Sequence, residues 1–238
     1  MKNLALILTL LMFNFSNAQG LSDFFAKTAV FLKQHVDHHK VAYSVIQKNK
    51  TELEILIQQI ATTDLTNENE ESKKAFFINA YNLIMIKSIV EKYPVKSPLD
   101  ISGVFDKNQH EIAGMKLTLN DLENKMLRAK YNDARIHFVL VCGANGCPPI
   151  TNFAYVPEKL ENQLNEQTKA AINNPSFIKI NTSSKKISVS QIFEWYKDDF
   201  ITKNSSLITF LNAYLSSPID EKYRLSYYNY DWSLNELK

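Results

Sequence analysis

Between Ala75 and Ile86 the chain reads AFFINAYNLIMI, and this stretch constrains the fold more than any other. It lies in a helical segment, SKKAFFINAYNLIMIKSIVEKYP. Ser72 is placed to cap it, Glu68, Glu70 and Glu71 precede it where the helix dipole favours negative charge, and Pro94 stops it. Apolar residues occur all the way round, and such a helix is buried on most sides. Two amides, Asn79 and Asn82, are embedded in it three residues apart and so share a face. A buried amide must find hydrogen-bonding partners. The fold therefore needs enough elements to wrap this helix, and something polar must meet the two asparagines.

The rest of the chain supplies the wrapping. Leu21 to His35 carries Leu21, Phe24, Phe25, Val30, Phe31 and Leu32 at helical spacing, and Asp37-His38-His39-Lys40 breaks the pattern. Thr51 to Ala61 is a second helix, with Leu53, Leu56, Ile57 and Ile60 on one face. Residues 103–119 alternate weakly and read as a hairpin, followed by a helix, DLENKMLRAKY, capped at Thr118 or Asn120. Pro157 opens a helix that runs through Ile172. FIKINTSSKKISVSQIFEWY reads as two strands around a Ser-Ser turn and then a helix; Ser206 to Leu215 is helical, and YRLSYYNYDW is a late aromatic strand. With 45% hydrophobic residues, 5 Gly and 7 Pro in 238 residues, there is ample core and little linker. Helices and strands mix without strict alternation, which predicts an α+β fold.

The second constraint is IHFVLVCGANGCPPI, residues 136–150. It holds both cysteines of the chain, Cys142 and Cys147, in one turn marked by Asn-Gly and closed by Pro-Pro. Ile136 to Cys142 is apolar apart from His137 and predicts the central strand of a small mixed or antiparallel sheet packed among helices. The cysteine turn then falls at the carboxyl end of that strand, where α/β-type sheets commonly place their sites.

Ahead of the fold lies Lys2, a mostly apolar run of 12 residues from Leu4 to Phe15, and Ser16-Asn17-Ala18. The run is short for a bilayer, and the pattern is that of a signal peptide cleaved near Ala18. The expected mature chain, 19–238, is a single exported domain, periplasmic or secreted, with no later transmembrane segment. Loss of Lys2 takes the formal charge from +2 to +1, which gives no reason to expect nucleic acid or anionic lipid as partner.

Six ordered blocks, HVDHHKVAYSVIQKNKTELEILIQQI, AFFINAYNLIMI, IAGMKLTLNDLENKMLR, RIHFVLVCGANGCPPI, ISVSQIFEWYKDDF and YYNYDWSLN, resemble the domain of unknown function 547 family, over roughly Gln34 to Asn235. The resemblance implies a family present in bacteria and eukaryotes, with some members joined to glutaredoxin-like or DEP domains. It implies no settled reaction. Where the family often has Glu-His before Leu-Arg, this chain has Glu123-Asn124, so no role of a histidine there carries over. Similar cysteine pairs in intracellular relatives argue that a disulfide is optional. A loop this short would contribute less than the roughly 3 kcal/mol of a 15-residue loop.

Three readings stand open. In the first the protein is a thiol-dependent enzyme, a cysteine hydrolase or acyltransferase. Cys142 or Cys147 is then the nucleophile, His137 the base and Asn79 the group that orients it, a Cys–His–Asn arrangement. In a regular strand, however, His137 and Cys142 face opposite sides. Asn82, Gly143, Tyr155, Trp195 and Arg135 are the candidate substrate contacts, with Gly143 and Gly146 able to form an oxyanion-type nest. In the second reading the domain binds a peptide or envelope ligand without chemistry, in a groove lined by Tyr155, Trp195, Tyr196, Tyr227, Tyr228, Tyr230 and Trp232. In the third the cysteines cycle between dithiol and disulfide. No cofactor and no metal is expected. His35, His38 and His39 read as a solvated cluster, and a lone Cys-x4-Cys is a poor zinc signature. Arg128 and Arg135 each have two readings, a salt bridge to Glu123 or Asp231 or the anchoring of a carboxylate-bearing substrate, and Glu194, Asp198 and Asp199 are expected to face solvent.

Overall fold

The protein is described as a computed structural model over residues 20–238. The expected signal peptide and its cleavage site lie outside these residues. Helix α1 runs to residue 35 and leads into a tight hairpin, β1 (Val36–Asp37) and β2 (Lys40–Val41), whose turn is His38-His39. Helices α2 (Tyr43–Lys48) and α3 (Thr51–Thr62) follow. Both pack on α4 (Glu70–Lys92), a 23-residue helix that is buried almost throughout. Its cap is Asn69 rather than Ser72: the Asn69 side chain accepts from the Ser72 N–H at 2.8 Å.

The predicted hairpin forms as β3 (His110–Ile112) and β4 (Met115–Leu117) around Ala113-Gly114, both at positive φ. Thr118 then caps α5 through a capping box with Asp121. Helix α5 consists of three consecutive stretches, Leu119–Asp121, Leu122–Arg128 and Ala129–Tyr131, and its middle stretch is wound as a π-helix. Such wide turns are rare and occur often at functional sites. Helix α6 (Leu160–Ile172) precedes the main sheet. Its strands β5 (Ile178–Asn181), β6 (Lys186–Ser190) and β7 (Arg224–Tyr228) pair in that order, β5 antiparallel and β7 parallel to β6. The β6–β7 crossover is helical: α7 (Ile192–Trp195), α8 (Lys197–Ile201) and α9 (Leu207–Asn212). The α+β class holds.

The predicted central strand does not. Ala134–Phe138 is a 3-10 helix, and 139–142 is extended backbone that joins no sheet. A buried apolar run cannot by itself be told from other buried backbone. What replaces the missing strand neighbour is Asn82. Its side-chain amide donates to the Val139 carbonyl at 2.9 Å, and its Oδ1 accepts from the Val141 N–H at 2.9 Å. Asn79 does the same for Tyr155, donating to its carbonyl at 2.7 Å and accepting from its N–H at 3.1 Å. Two amides on one helix face thus hold two loops against it.

This segment sits between two apolar cores. Helices α1 to α5 and residues Ile136 and Val139–Val141 form the first; the sheet, α7 to α9 and Phe138 form the second. Cys147 packs against both. Residues 231–235 run alongside the cysteine turn and pair with its backbone: the Asn145 N–H donates to Ser233, Gly146 to Asp231, and Asn235 to the Gly143 carbonyl. No helix among the described residues is long and apolar enough to cross a membrane.

Candidate functional site

A cavity of about 480 Å³ opens at the junction of the two cores. Its lining includes Cys142, Cys147, His137, Glu123, Tyr230 and Trp195, which come from five separate segments. The 3-10 turn at 134–138 resolves the facing problem posed by a regular strand, since His137 and both cysteines now line one space.

Both thiols are free. Cys147 sits in a cradle of donors. The Cys142 N–H reaches its sulfur at 3.0 Å and the Tyr230 hydroxyl at 2.9 Å. Burial pushes the Cys147 thiol up. Hydrogen bonds from the Cys142 thiol, from Tyr230 and from the Ala144 and Cys142 backbone outweigh it, so the net direction is down. Cys142 moves the other way. Burial raises it, and the neighbouring Cys147 raises it further. Tyr230 bridges the pair, 3.0 Å from the Cys142 sulfur. Burial, then the two sulfurs, hold its phenol protonated well past the ordinary range, so it is a donor at neutral pH.

His137 is buried, and its Nε2 lies 2.7 Å from Asp199 Oδ2. Arg128 grips the same carboxylate with two nitrogens, at 2.7 and 3.1 Å. Burial alone would raise Asp199, but the bonds from His137 and Arg128 hold its carboxyl well below the usual range. An ionised Asp199 accepts a proton-bearing Nε2, which fixes the tautomer and leaves the Nδ1 lone pair as the basic site. The imidazole stacks on Tyr196 at 4.1 Å between ring centres, and the Arg128 guanidinium lies over the same Tyr196 ring. Asp199 was expected to face solvent. It is delivered to the site because the helix breaks at Tyr196, between α7 and α8. Trp195 and Tyr196 reach the cavity wall from this same break.

The other expected site residues lie elsewhere. Asn79 and Asn82 are committed to the backbone brackets and do not line the cavity, so the imidazole-orienting group is Asp199, not Asn79. Tyr155 is buried beneath its bracket. Arg135 is held by Asp133 and Glu161 in an ion-pair cluster, none of which lines the cavity, and Arg128 by Asp199, so neither forms an ion pair with Glu123 or Asp231. Gly143 and Gly146 serve close packing rather than an anion nest. A Cβ on Gly143, at φ +80°, would sit 2.4 Å from Ile89, and one on Gly146 would sit 2.8 Å from the Asp231 nitrogen. The Asn145, Gly146 and Cys147 N–H groups are all spent on carbonyls. Among the described residues no three metal-ligating side chains converge; His38 and His39 lie on the exposed β1–β2 turn.

Sequence reasoning missed Asp199, and it noted Glu123 as an ion-pair partner and as part of a family pattern but not as a group lining the site. The π-wound stretch that carries Glu123 and Arg128 leaves no mark in the periodicity. The acidic pair Asp198-Asp199 two residues beyond Tyr196 was the one visible signal for the first.

Residues 65–172 match the family described as "Protein of unknown function, DUF547", which covers the bracketing helix, the π-wound helix and the cysteine turn and stops short of the sheet. No curated protein and no solved structure matches the chain.

Proposed function

We propose that this DUF547-containing chain is a thiol-dependent acyl-transfer enzyme, of the cysteine hydrolase or acyltransferase kind, acting after export from the cell. One observation carries the reading. A sulfur cradled by an N–H and a phenolic O–H shares a cavity with an imidazole whose far nitrogen is fixed by an arginine-clamped carboxylate. Cys147 is the nucleophile. His137 Nδ1 takes its proton, and Sγ attacks the carbonyl carbon of the acyl donor. As the tetrahedral adduct collapses, the bond to the leaving group breaks and the leaving group takes the proton from His137. Water or a second acceptor then cleaves the thioester and returns the thiol. Asp199 is a positioning residue: it sets the tautomer and stabilises the imidazolium. Cys142 contributes its N–H to the cradle.

The test is acyl transfer from p-nitrophenyl acetate, with peptide mapping of the trapped adduct. The expected result is a stoichiometric burst with acetyl on Cys147, absent in Cys147→Ser and strongly slowed in His137→Ala. Acetylation of Cys142 instead, or a burst indifferent to His137, would overturn the assignment.

A redox role is the second reading, favoured by the Tyr230 hydroxyl touching both sulfurs. It requires both cysteines and a measurable dithiol–disulfide potential, whereas acyl transfer requires Cys147 alone. Sequencing the amino terminus of the secreted protein tests the expected cut after Ala18.

A further inference from the structure

We propose that the cavity holds an organic ammonium cation beside the thiol, with Glu123 as counter-charge and the aromatic wall as its seat. On the acyl-transfer reading above, the substrate is then an acyl compound bearing a protonated amine.

Glu123 is the first support. It is only 8% exposed, yet it lines the cavity and forms no ion pair among the described residues. Its polar neighbour is the Tyr196 hydroxyl. The nearby cations make their hydrogen bonds elsewhere, Arg128 to Asp199 and Asn124, and Lys125 to Asp121, although the Arg128 charge still reaches Glu123. Asp106 adds a second carboxyl to the lining, and no lysine or arginine contributes to it. A carboxyl buried to this degree and in no ion pair is costly to keep ionised, and a ligand cation lowers that cost.

The aromatic wall is the second, independent support. Tyr230 lies 4.7 Å from Trp232 and 5.2 Å from Trp195, and Phe105 continues the row, 6.3 Å from Trp232. All four line the cavity, and Trp195 remains 46% exposed at its edge. Ring faces attract cations, most strongly those of tryptophan, and the attraction strengthens when the cation is desolvated. A cavity lined by these rings and by a buried carboxyl suits an alkylammonium group, whose methylenes contact the rings while its charge meets Glu123. Because Tyr230 is also a donor to Cys147, the ammonium and the reacting carbonyl occupy adjoining parts of one space.

The chain has only two tryptophans, Trp195 and Trp232, and both line this cavity. Intrinsic fluorescence therefore reports on it directly. Cys147→Ser protein, which lacks the proposed nucleophile, is titrated at neutral pH with n-butylammonium chloride and with n-butanol. The expected result is saturable quenching, with the ammonium half-saturating at a concentration about tenfold or more below the alcohol. Glu123→Gln should bring the two within about twofold. Equal responses to the two compounds overturn the proposal, as does discrimination that survives Glu123→Gln. Should Glu123→Gln fail to fold, the comparison on the Glu123-containing protein decides. Cation preference without acylation of Cys147 in the unsubstituted protein removes the enzyme and keeps the ammonium site; acylation without cation preference does the reverse.

Discussion

At the scale of single residues the two cysteines are not equivalent. Cys147 collects the donors and Cys142 supplies one, so their thiols are driven in opposite directions. Iodoacetamide labelling across pH should therefore find Cys147 reacting with an apparent pKa below the unperturbed value of about 8.5, and Cys142 reacting only above it. Tyr230→Phe removes one donor, so it should raise the Cys147 value and slow labelling at neutral pH several-fold. Asp199→Asn keeps the shape of the site but no longer selects the tautomer with Nδ1 free. It should reduce acyl transfer by about 10²–10⁴-fold, with the acidic limb of the pH–rate profile displaced, a readout that packing damage would not produce. The cysteines, His137 and Trp195 were all visible in the sequence because each is conspicuous: a polar group inside an apolar run, or a large ring in an aromatic cluster. Asp199 was not. An aspartate in a run of charged residues carries no mark of what it faces until the helix break at Tyr196 is known.

At the scale of elements, what was legible follows from periodicity and what was not follows from its absence. Helices α3 and α4, the β3–β4 hairpin and the strands around Ser183-Ser184 were all legible because stripes, caps and turn residues mark them. The Ile136–Cys142 run was misjudged because burial is all its composition reports. The amides of α4, which bracket loops rather than ligands, take the place of the ladder that a strand would have had. Truncating Asn82 to Ala orphans the Val139 carbonyl and the Val141 N–H in the interior. It should cost about 2–4 kcal/mol in urea unfolding, more than Asn124→Ala on the exposed side of α5. Because the bracketed segment ends at Cys142, the same variant should also loosen the cradle and raise the pH at which Cys147 labels.

For the molecule as a whole, acid is the weak direction. Burial would raise Asp133, but hydrogen bonds from Arg135 and the charge of Lys74 outweigh it and hold the carboxyl well below its ordinary range; Asp199 is depressed likewise. A carboxylate depressed in the folded state stabilises at every pH above its unfolded value of about 3.9, and this is lost as pH falls through the lower folded value. The melting temperature should be level between about pH 5 and 7 and drop below about pH 4. Asp133→Asn should lower the plateau and flatten the drop. The pairing of residues 231–235 with the cysteine turn carries a consequence in time. Tyr230 is 88 residues downstream of Cys142, and the strip that follows it also ties Val41 to the same turn. At 5–20 residues per second the ribosome takes about 4–18 s to cover that interval. Throughout it the nascent chain carries two thiols with neither the phenol nor the backbone strip that later sets them apart. The donor set that distinguishes the two thiols is thus completed late, as a property of assembly, and a chain halted before that strip emerges lacks the Tyr230 hydroxyl that touches both sulfurs.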